Sequence, residues 1–239
     1  MTRSLGELRV LGAVVGRVGV VACLVAAVVV AAGVAPAAAG VDGDGDVDAV
    51  FASANQPDRV CVGDGSGGFT CSDVSSDTYS SFGVALGDVD GDGSLDAMFA
   101  NYNQPDRVCV GDGSGGFSCT DVSSDTHNSR GVALGDVDGD GDLDAVLANF
   151  FERNVACLWE GSGGFTCGYV SSDTNDSTGV ALGDVDGDGD LDAVFANYNQ
   201  PDRVCLGDGL GGFFCGDVSP DTGNSRGVAL GDVDGDGDL

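Results

Sequence analysis

The sequence predicts an all-β fold: a β-propeller built from 48-residue, four-stranded blades, each carrying an acidic loop. Three observations predict it. The chain repeats itself at a constant period, and short apolar runs alternate with Gly-rich turns. No apolar period of 3.6 is present, and 42 glycines among 239 residues are too many for a helical protein.

The first 39 residues stand outside the repeat. Arg3, Arg9 and Arg17 precede a long uncharged stretch from Val18 to Ala39, which ends in Ala37-Ala38-Ala39 after Pro36. A basic start, an apolar middle and a small-residue exit describe a secretory signal peptide, with cleavage expected after Ala39. An uncleaved membrane anchor and a lipoprotein site at Cys23 are the competing readings. The apolar run continues past Cys23, which is wrong for a lipoprotein signal.

From Gly40 onward the chain is a tandem array. Units run 83–130, 131–178 and 179–226, preceded by an incomplete unit at 40–82 and followed by a truncated one at 227–239. The units at 83–130 and 179–226 are identical at 40 of 48 positions. In each, GVALGDV reads as a short apolar strand and DVDGDGDLD as an acidic loop. DAVFAN is a second strand, and DRVCLGDG with GGFFCGDV form two more around a Gly-rich turn. A polar loop such as SSDTHNSR leads to the next unit. Four short strands per 48 residues suit a propeller blade. Val132–Leu134 and Ala145–Ala148 are apolar on both faces, as inner strands packed between blades would be.

Charge narrows the partners. The chain has 39 acidic residues against 9 basic ones, and its formal net charge is -30. All acids except Glu7, Glu152 and Glu160 are Asp, and all the basic residues are Arg. Without residues 1–39, 6 Arg remain against 38 acids, so the net charge is 6 − 38 = -32. Such an excess often marks a solvated tail, but 42% of residues are hydrophobic and fall in short runs, so the chain is expected to fold. Nucleic acid is a poor partner, because phosphate binding needs Lys and Arg. No membrane contact is expected beyond the export signal. Cations are the natural partner.

The acidic loops say which cation. In Asp136-Val-Asp138-Gly-Asp140-Gly-Asp142-Leu-Asp144, carboxylates fall at positions 1, 3, 5, 7 and 9. Gly141 sits at position 6, where a loop wrapping an ion must turn sharply. Calcium takes six to eight hard oxygen ligands, and EF-hand loops use this spacing. Asp136, Asp138 and Asp140 are assigned as side-chain ligands, Asp142 as a backbone-carbonyl ligand, and Asp144 as the residue that closes the cage. The sister loops carry Asp88, Asp90, Asp92, Ser94 and Asp96, then Asp184, Asp186, Asp188, Asp190 and Asp192. Ser94 supports a backbone role for position 7. The first loop has Asp42, Asp44, Asp46 and Asp48 but Gly40 at position 1, so a weak or empty site is expected there. The last has Asp232, Asp234, Asp236 and Asp238 and ends before its final Asp. Magnesium fits less well, since it keeps its waters and takes few protein ligands.

This pattern resembles the FG-GAP repeats of integrin α-chain propellers and their bacterial relatives, the VCBS-type repeats. The resemblance rests on Phe82-Gly83, on GVALGDVDGDGDLDAVFAN and on the LGDGLGGF that follows, and it covers residues 40–239. It implies calcium held between two strands of a blade, and a role in adhesion or ligand recognition. The family's propellers usually have seven blades. About four units are present here, so a segment of a larger propeller is expected. The alternative is a closed four-bladed ring, in which the C-terminal GVALGDV supplies the strand that the opening unit lacks.

The cysteines recur as Cys61 with Cys71, Cys109 with Cys119, Cys157 with Cys167 and Cys205 with Cys215, all obeying C-x9-C. In hairpins centred on the Gly-rich turns, the members of each pair face one another across antiparallel strands, within disulfide range. Such bonds would staple the outer edge of each blade. Zinc is the competing reading. The single His and an oxidising compartment favour disulfides.

Other features read as structural. Gly63-x-Gly65-x-x-Gly68 and Gly111-x-Gly113-x-x-Gly116 mimic a dinucleotide fingerprint, but a strand follows rather than a helix, and Asp64 and Asp112 would repel phosphate. His127 lies in a polar stretch with no catalytic partner in sequence, so it reads as loop filler, and no enzyme activity is expected. Asn175-Asp176-Ser177 is a formal glycosylation sequon. The third unit departs most, with Phe150, Phe151, Glu152, Arg153 and Trp159. These mark either a binding patch or drift in an outer strand. Tyr102 and Tyr198 are candidates for a repeated surface. The expectation is a secreted or cell-surface calcium-binding module for adhesion or for an extracellular protein or glycan ligand. The alternatives are a non-catalytic domain of a larger secreted enzyme and a calcium-rigidified spacer.

Overall fold

The computed structural model describes residues 40–161, 164–237 and 239; the export signal read at residues 1–39 lies outside them, as does Asp238. The described residues form repeated antiparallel sheets. Unit one holds β1 (Ala49–Phe51), β2 (Arg59–Gly63) and β3 (Phe69–Asp73). Unit two holds β4 (Ser81–Gly87), β5 (Asp96–Gln104), β6 (Arg107–Gly111) and β7 (Phe117–Asp121). Unit three holds β8 (His127–Gly135), β9 (Asp144–Glu152), β10 (Val155–Trp159) and β11 (Phe165–Tyr169). Unit four holds β12 (Asn175–Gly183), β13 (Asp192–Gln200), β14 (Arg203–Gly207) and β15 (Phe213–Asp217), and β16 (Gly223–Asn224) follows. Within units two, three and four the strands pair in sequence order as a meander.

The first strand of each unit begins earlier than its apolar run. SSDTHNSR reads as a loop, yet its last four residues, His127–Arg130, open β8. Backbone pairing supplies what the polar side chains do not: β8 starts against the end of β5, with Asn128 opposite Tyr102 and His127 opposite Gln104. β12 starts against the end of β9 in the same way. These short pairings stitch each unit to the next.

The core lies between units, because the period-2 alternation of each second strand buries both faces. On β5, Ala97 and Phe99 face unit one, joining Val41, Val50 and Val60. Met98 and Ala100 face unit three, joining Ala145, Leu147 and Val155. On β9, Val146 and Ala148 turn the other way, towards Ala193 and Phe195 of unit four. The units therefore stack face to face.

Close approach of first strands explains the glycine of GVALG. A Cβ on Gly83 would lie 3.0 Å from Cα of Gly131, and one on Gly131 would lie 2.9 Å from Cα of Gly179. Gly227 continues the line, 3.2 Å from a Cβ on Gly179. The C-terminal GVALGDV forms no strand and does not pair with β1. Leu230 instead packs on Gly183 of β12. The alternative of a closed ring, with this segment completing unit one, is therefore not what the described residues form. The sheet path among described residues is open, running from β15 to β7, with β1–β3 as a separate sheet.

All four cysteine pairs are disulfides: Cys61 with Cys71, Cys109 with Cys119, Cys157 with Cys167, and Cys205 with Cys215. In each, the two residues stand directly opposite in register. Each bond joins the third strand of a unit to its outermost strand, and the two ends differ in surroundings. Cys61, Cys109, Cys157 and Cys205 lie on the third strand and are buried. On the outermost strand Cys71 is exposed, and Cys119, Cys167 and Cys215 are half-buried. Cys119, Cys167 and Cys215 still pack against the inter-unit cores that hold their partners. Each of these three bonds thus ties an outer strand to the core. Among the described residues no other unit covers Cys71, and its end is exposed. A sulfur in a disulfide is not a thiolate ligand, so the zinc reading of these pairs falls.

Candidate metal centres

The acidic loops of units two, three and four connect the first and second strands of their units and are fixed by apolar positions. In the first three loops of the chain the residue at position 2 is buried: Val41, Val89 and Val137 plug neighbouring cores. Position 8 reaches the preceding unit, where Leu143 packs on Gly87 and Leu191 on Gly135. Between these anchors the chain turns through two glycines at positive φ, such as Gly139 at 77° and Gly141 at 98°. An L side chain rarely adopts that conformation, so glycine recurs at positions 4 and 6.

The backbone then draws the carboxylates inward. Asp136 Oδ1 accepts from Gly139 N at 2.7 Å and its Oδ2 from Gly141 N at 3.0 Å. Asp138 accepts from Asp140 N at 3.2 Å, and Asp140 from Asp142 N at 2.9 Å. Position 9 works differently. Asp144 Oδ2 accepts from Val137 N at 2.9 Å, closing the loop on itself, and Oδ1 accepts from Trp159 N at 2.8 Å on the third strand. Asp48, Asp96 and Asp192 repeat both bonds. Position 9 is thus a structural rivet as well as an acid. Burial pushes Asp144 up to about 6 and raises Asp96, despite the amides that stabilise both carboxylates.

Three loops gather positions 1, 3 and 9. Asp88, Asp90 and Asp96 each offer an oxygen within 4.8 Å of the others, as do Asp136, Asp138 and Asp144, and Asp184, Asp186 and Asp192. In the last loop Asp232, Asp234 and Asp236 come together. Position 5 (Asp92, Asp140, Asp188) is outside the three-acid groups of the middle loops. Position 7 turns towards the outer hairpin of its own unit: Ser94 lies against Gly113, Asp190 against Gly209 and Asp46 against Gly65. The first loop, with Gly40 for an acid, forms no three-acid group among the described residues.

The donor set fits a hard cation. Its atoms are carboxylate oxygens, and Asp88 Oδ1 is buried without a hydrogen-bond partner. A buried lone pair with no proton donor is costly, and a cation in the loop would satisfy it. Carboxylate crowding points the same way: burial first, then the neighbouring Asp charges, raise Asp138.

A second set of acids is invisible in the loop motif. Asp58, Asp106 and Asp202 sit between the second and third strands and reach the next unit. Asp106 accepts from Asn101 N at 2.7 Å and from Ser129 Oγ at 2.9 Å. Asp58 does the same with Ser53 N and Ser81 Oγ, and Asp202 with Asn197 N and Ser225 Oγ. Their recurrence at 48-residue spacing, each in a Gln-Pro-Asp-Arg sequence, was the available signal.

Comparison with known proteins agrees with this architecture. The model of the FG-GAP-like repeat matches residues 41–99, 88–147, 136–195 and 184–239, so each match spans one acidic loop and reaches the next. The crystal structure of the V. cholerae biofilm matrix protein Bap1 is similar, with a TM-score of 0.52 and 23% sequence identity over 80% of this chain. The chain spans 29% of the length of that protein. No curated protein matches. With four matches covering nearly all of residues 41–239, the chain belongs to the FG-GAP-like repeat family.

Proposed function

We propose that this chain is an exported, calcium-binding repeat module that acts in adhesion or ligand recognition outside the cell. The observation that carries the reading is the recurrence of grouped carboxylates at positions 1, 3 and 9, one of them with a buried oxygen lacking any partner. Asp88, Asp90 and Asp96, with their counterparts in the two following loops, would hold the ion, joined by positions 5 and 7. Calcium suits so many oxygen donors better than magnesium. A bound dication would neutralise crowded carboxylates and tie together two strands of one unit and its neighbour. The units would stand as blades of a propeller. Four disulfides fit an oxidising compartment, and a biofilm matrix protein of similar fold is compatible with an extracellular setting.

Titration of the refolded chain (residues 40–239) with calcium, read by calorimetry and thermal melting, tests this. Binding of three or more ions with a rise in Tm, reversed by chelator, is the expected result. Unchanged melting in chelator means the loops are solvated turns.

A further inference from the structure

Unit three departs most from the repeat, and the fold brings its departures to one place. Phe151, Glu152, Arg153 and Tyr169 line one open surface cleft of about 340 Å³ at the end of the unit opposite its acidic loop. His127 completes the wall from β8. Four of these replace residues that the sister units share, Glu152 standing where Gln56, Gln104 and Gln200 stand. Phe151 stands where Asn55, Asn103 and Asn199 stand, Arg153 where the others have Pro, and Tyr169 where they have Asp73, Asp121 and Asp217.

Phe151 stands in an unfavourable backbone conformation. Its φ is 62°, in the left-handed region that Asn tolerates and Phe does not. Its side chain is 64% exposed, so burial does not compensate. Tyr169 is likewise 60% exposed. Strain and exposed aromatic surface meeting at one cleft are the mark of a site kept for binding rather than for folding.

We propose that this cleft binds a neutral saccharide; the inference deepens the ligand-recognition reading above and rests on it. A pyranose ring has apolar C–H faces and a rim of hydroxyls, so it needs an aromatic surface flanked by mixed donors and acceptors. Phe151 and Tyr169 supply the surface. The rim partners are the Arg153 guanidinium, held over the Tyr169 ring at 4.9 Å, the Glu152 carboxylate, the His127 imidazole and the hydroxyls of Thr126 and Thr174. His127 Nδ1 meets Glu152 Oε2 at 3.1 Å, and Asn128 Nδ2 donates to Glu152 Oε1 at 3.0 Å, so the acceptor is braced. One cationic and one anionic side chain leave the cleft without excess charge. The chain's strongly acidic field disfavours an anionic sugar. The volume lies in the range of small-ligand sites, roughly 300–1,000 Å³.

The test uses the calcium-loaded chain and four probes: linear hexasaccharides of glucose, mannose, galactose and N-acetylglucosamine, titrated by calorimetry. Binding of at least one is expected, weakened tenfold or more by Phe151→Asn and by Tyr169→Asp, the residues the sister units carry. Because Phe151→Asn releases backbone strain, its Tm should rise while affinity falls, a combination that a structural role for Phe151 does not produce. Failure of all four probes, full affinity in Phe151→Asn, or a drop in its Tm would overturn the proposal. Chelator melts on the same sample separate this outcome from failure of the calcium reading.

Discussion

At the residue scale, the junctions between units turn on one proton. Ser129 Oγ lies 2.9 Å from Asp106 Oδ2 and 2.8 Å from Asn149 Oδ1. Asn149 Nδ2 donates to Arg153 O, which fixes its Oδ1 towards the serine. A hydroxyl has one proton and cannot donate to two acceptors. At the next junction Asn154 replaces the acid, and its Nδ2 donates to Ser177 Oγ at 3.0 Å, leaving that hydroxyl free to donate to Asn197 Oδ1. A neutral Asp106 carboxyl completes its own set in the same way. Burial, the largest influence, pushes Asp106 up to about 6, against the Asn101 amide and Ser129 hydroxyl that favour the charged form. His127 lowers it and Glu152 raises it through space. Between about pH 4 and 6 the native state therefore holds a proton that the unfolded chain, at 3.8, releases. Stability falls as pH rises from about 4 to about 6, and the penalty is complete above that, on the order of 1–3 kcal/mol. Asp106→Asn should raise Tm at pH 7 by several degrees and leave it nearly unchanged at pH 4, in melts run with chelator. A lower Tm at pH 7 would show that the junction needs the charge.

At the scale of elements, each acidic loop combines two jobs that substitution can separate. Asp96 is fully buried and accepts from Val89 N and Gly111 N at 2.7 and 2.8 Å. Asp90 is exposed and accepts from Asp92 N in its own turn, at 3.2 Å. Asp96→Ala orphans two backbone donors, each costing about 1–3 kcal/mol, so Tm should fall with or without calcium. Asp90→Ala should leave the chelated Tm within a degree or two and lower only the calcium-dependent gain. Equal effects of the two substitutions in chelator would refute this division. The loop motif was legible in sequence because its acids lie within nine residues. The double duty of position 9 was not, because Gly111 N and Trp159 N arrive from another strand, 15 residues on.

For the whole molecule, stacking makes every unit dependent on its neighbours. Ala97 and Phe99 belong to one inter-unit core while Met98 and Ala100 belong to the next. A fragment of residues 79–126, one complete four-stranded meander, exposes both faces and should show no cooperative melt by circular dichroism, even with calcium and an intact disulfide. A sigmoidal transition for that fragment would mean that a unit is stabilised from within. The same seven residues differ with their surroundings: GVALGDV at 227–233 forms no strand, whereas at 179–185 it begins within β12, which pairs with β13.

The repeat, the strand and turn order, the acidic loops and the facing cysteines were all determined by the sequence alone, because each rests on contacts between residues close in the chain or at a fixed period. Only the tertiary structure decided which faces of β5 and β9 meet which neighbour, and that His127–Arg130 is strand rather than loop. It also decided which cysteine of each pair is buried, and that Phe151, Arg153 and Tyr169 share one cleft with His127. Those outcomes depend on pairing across units, where backbone hydrogen bonds and the burial of alternate side chains override local polarity. No periodicity in the chain encodes where distant departures from the repeat come together.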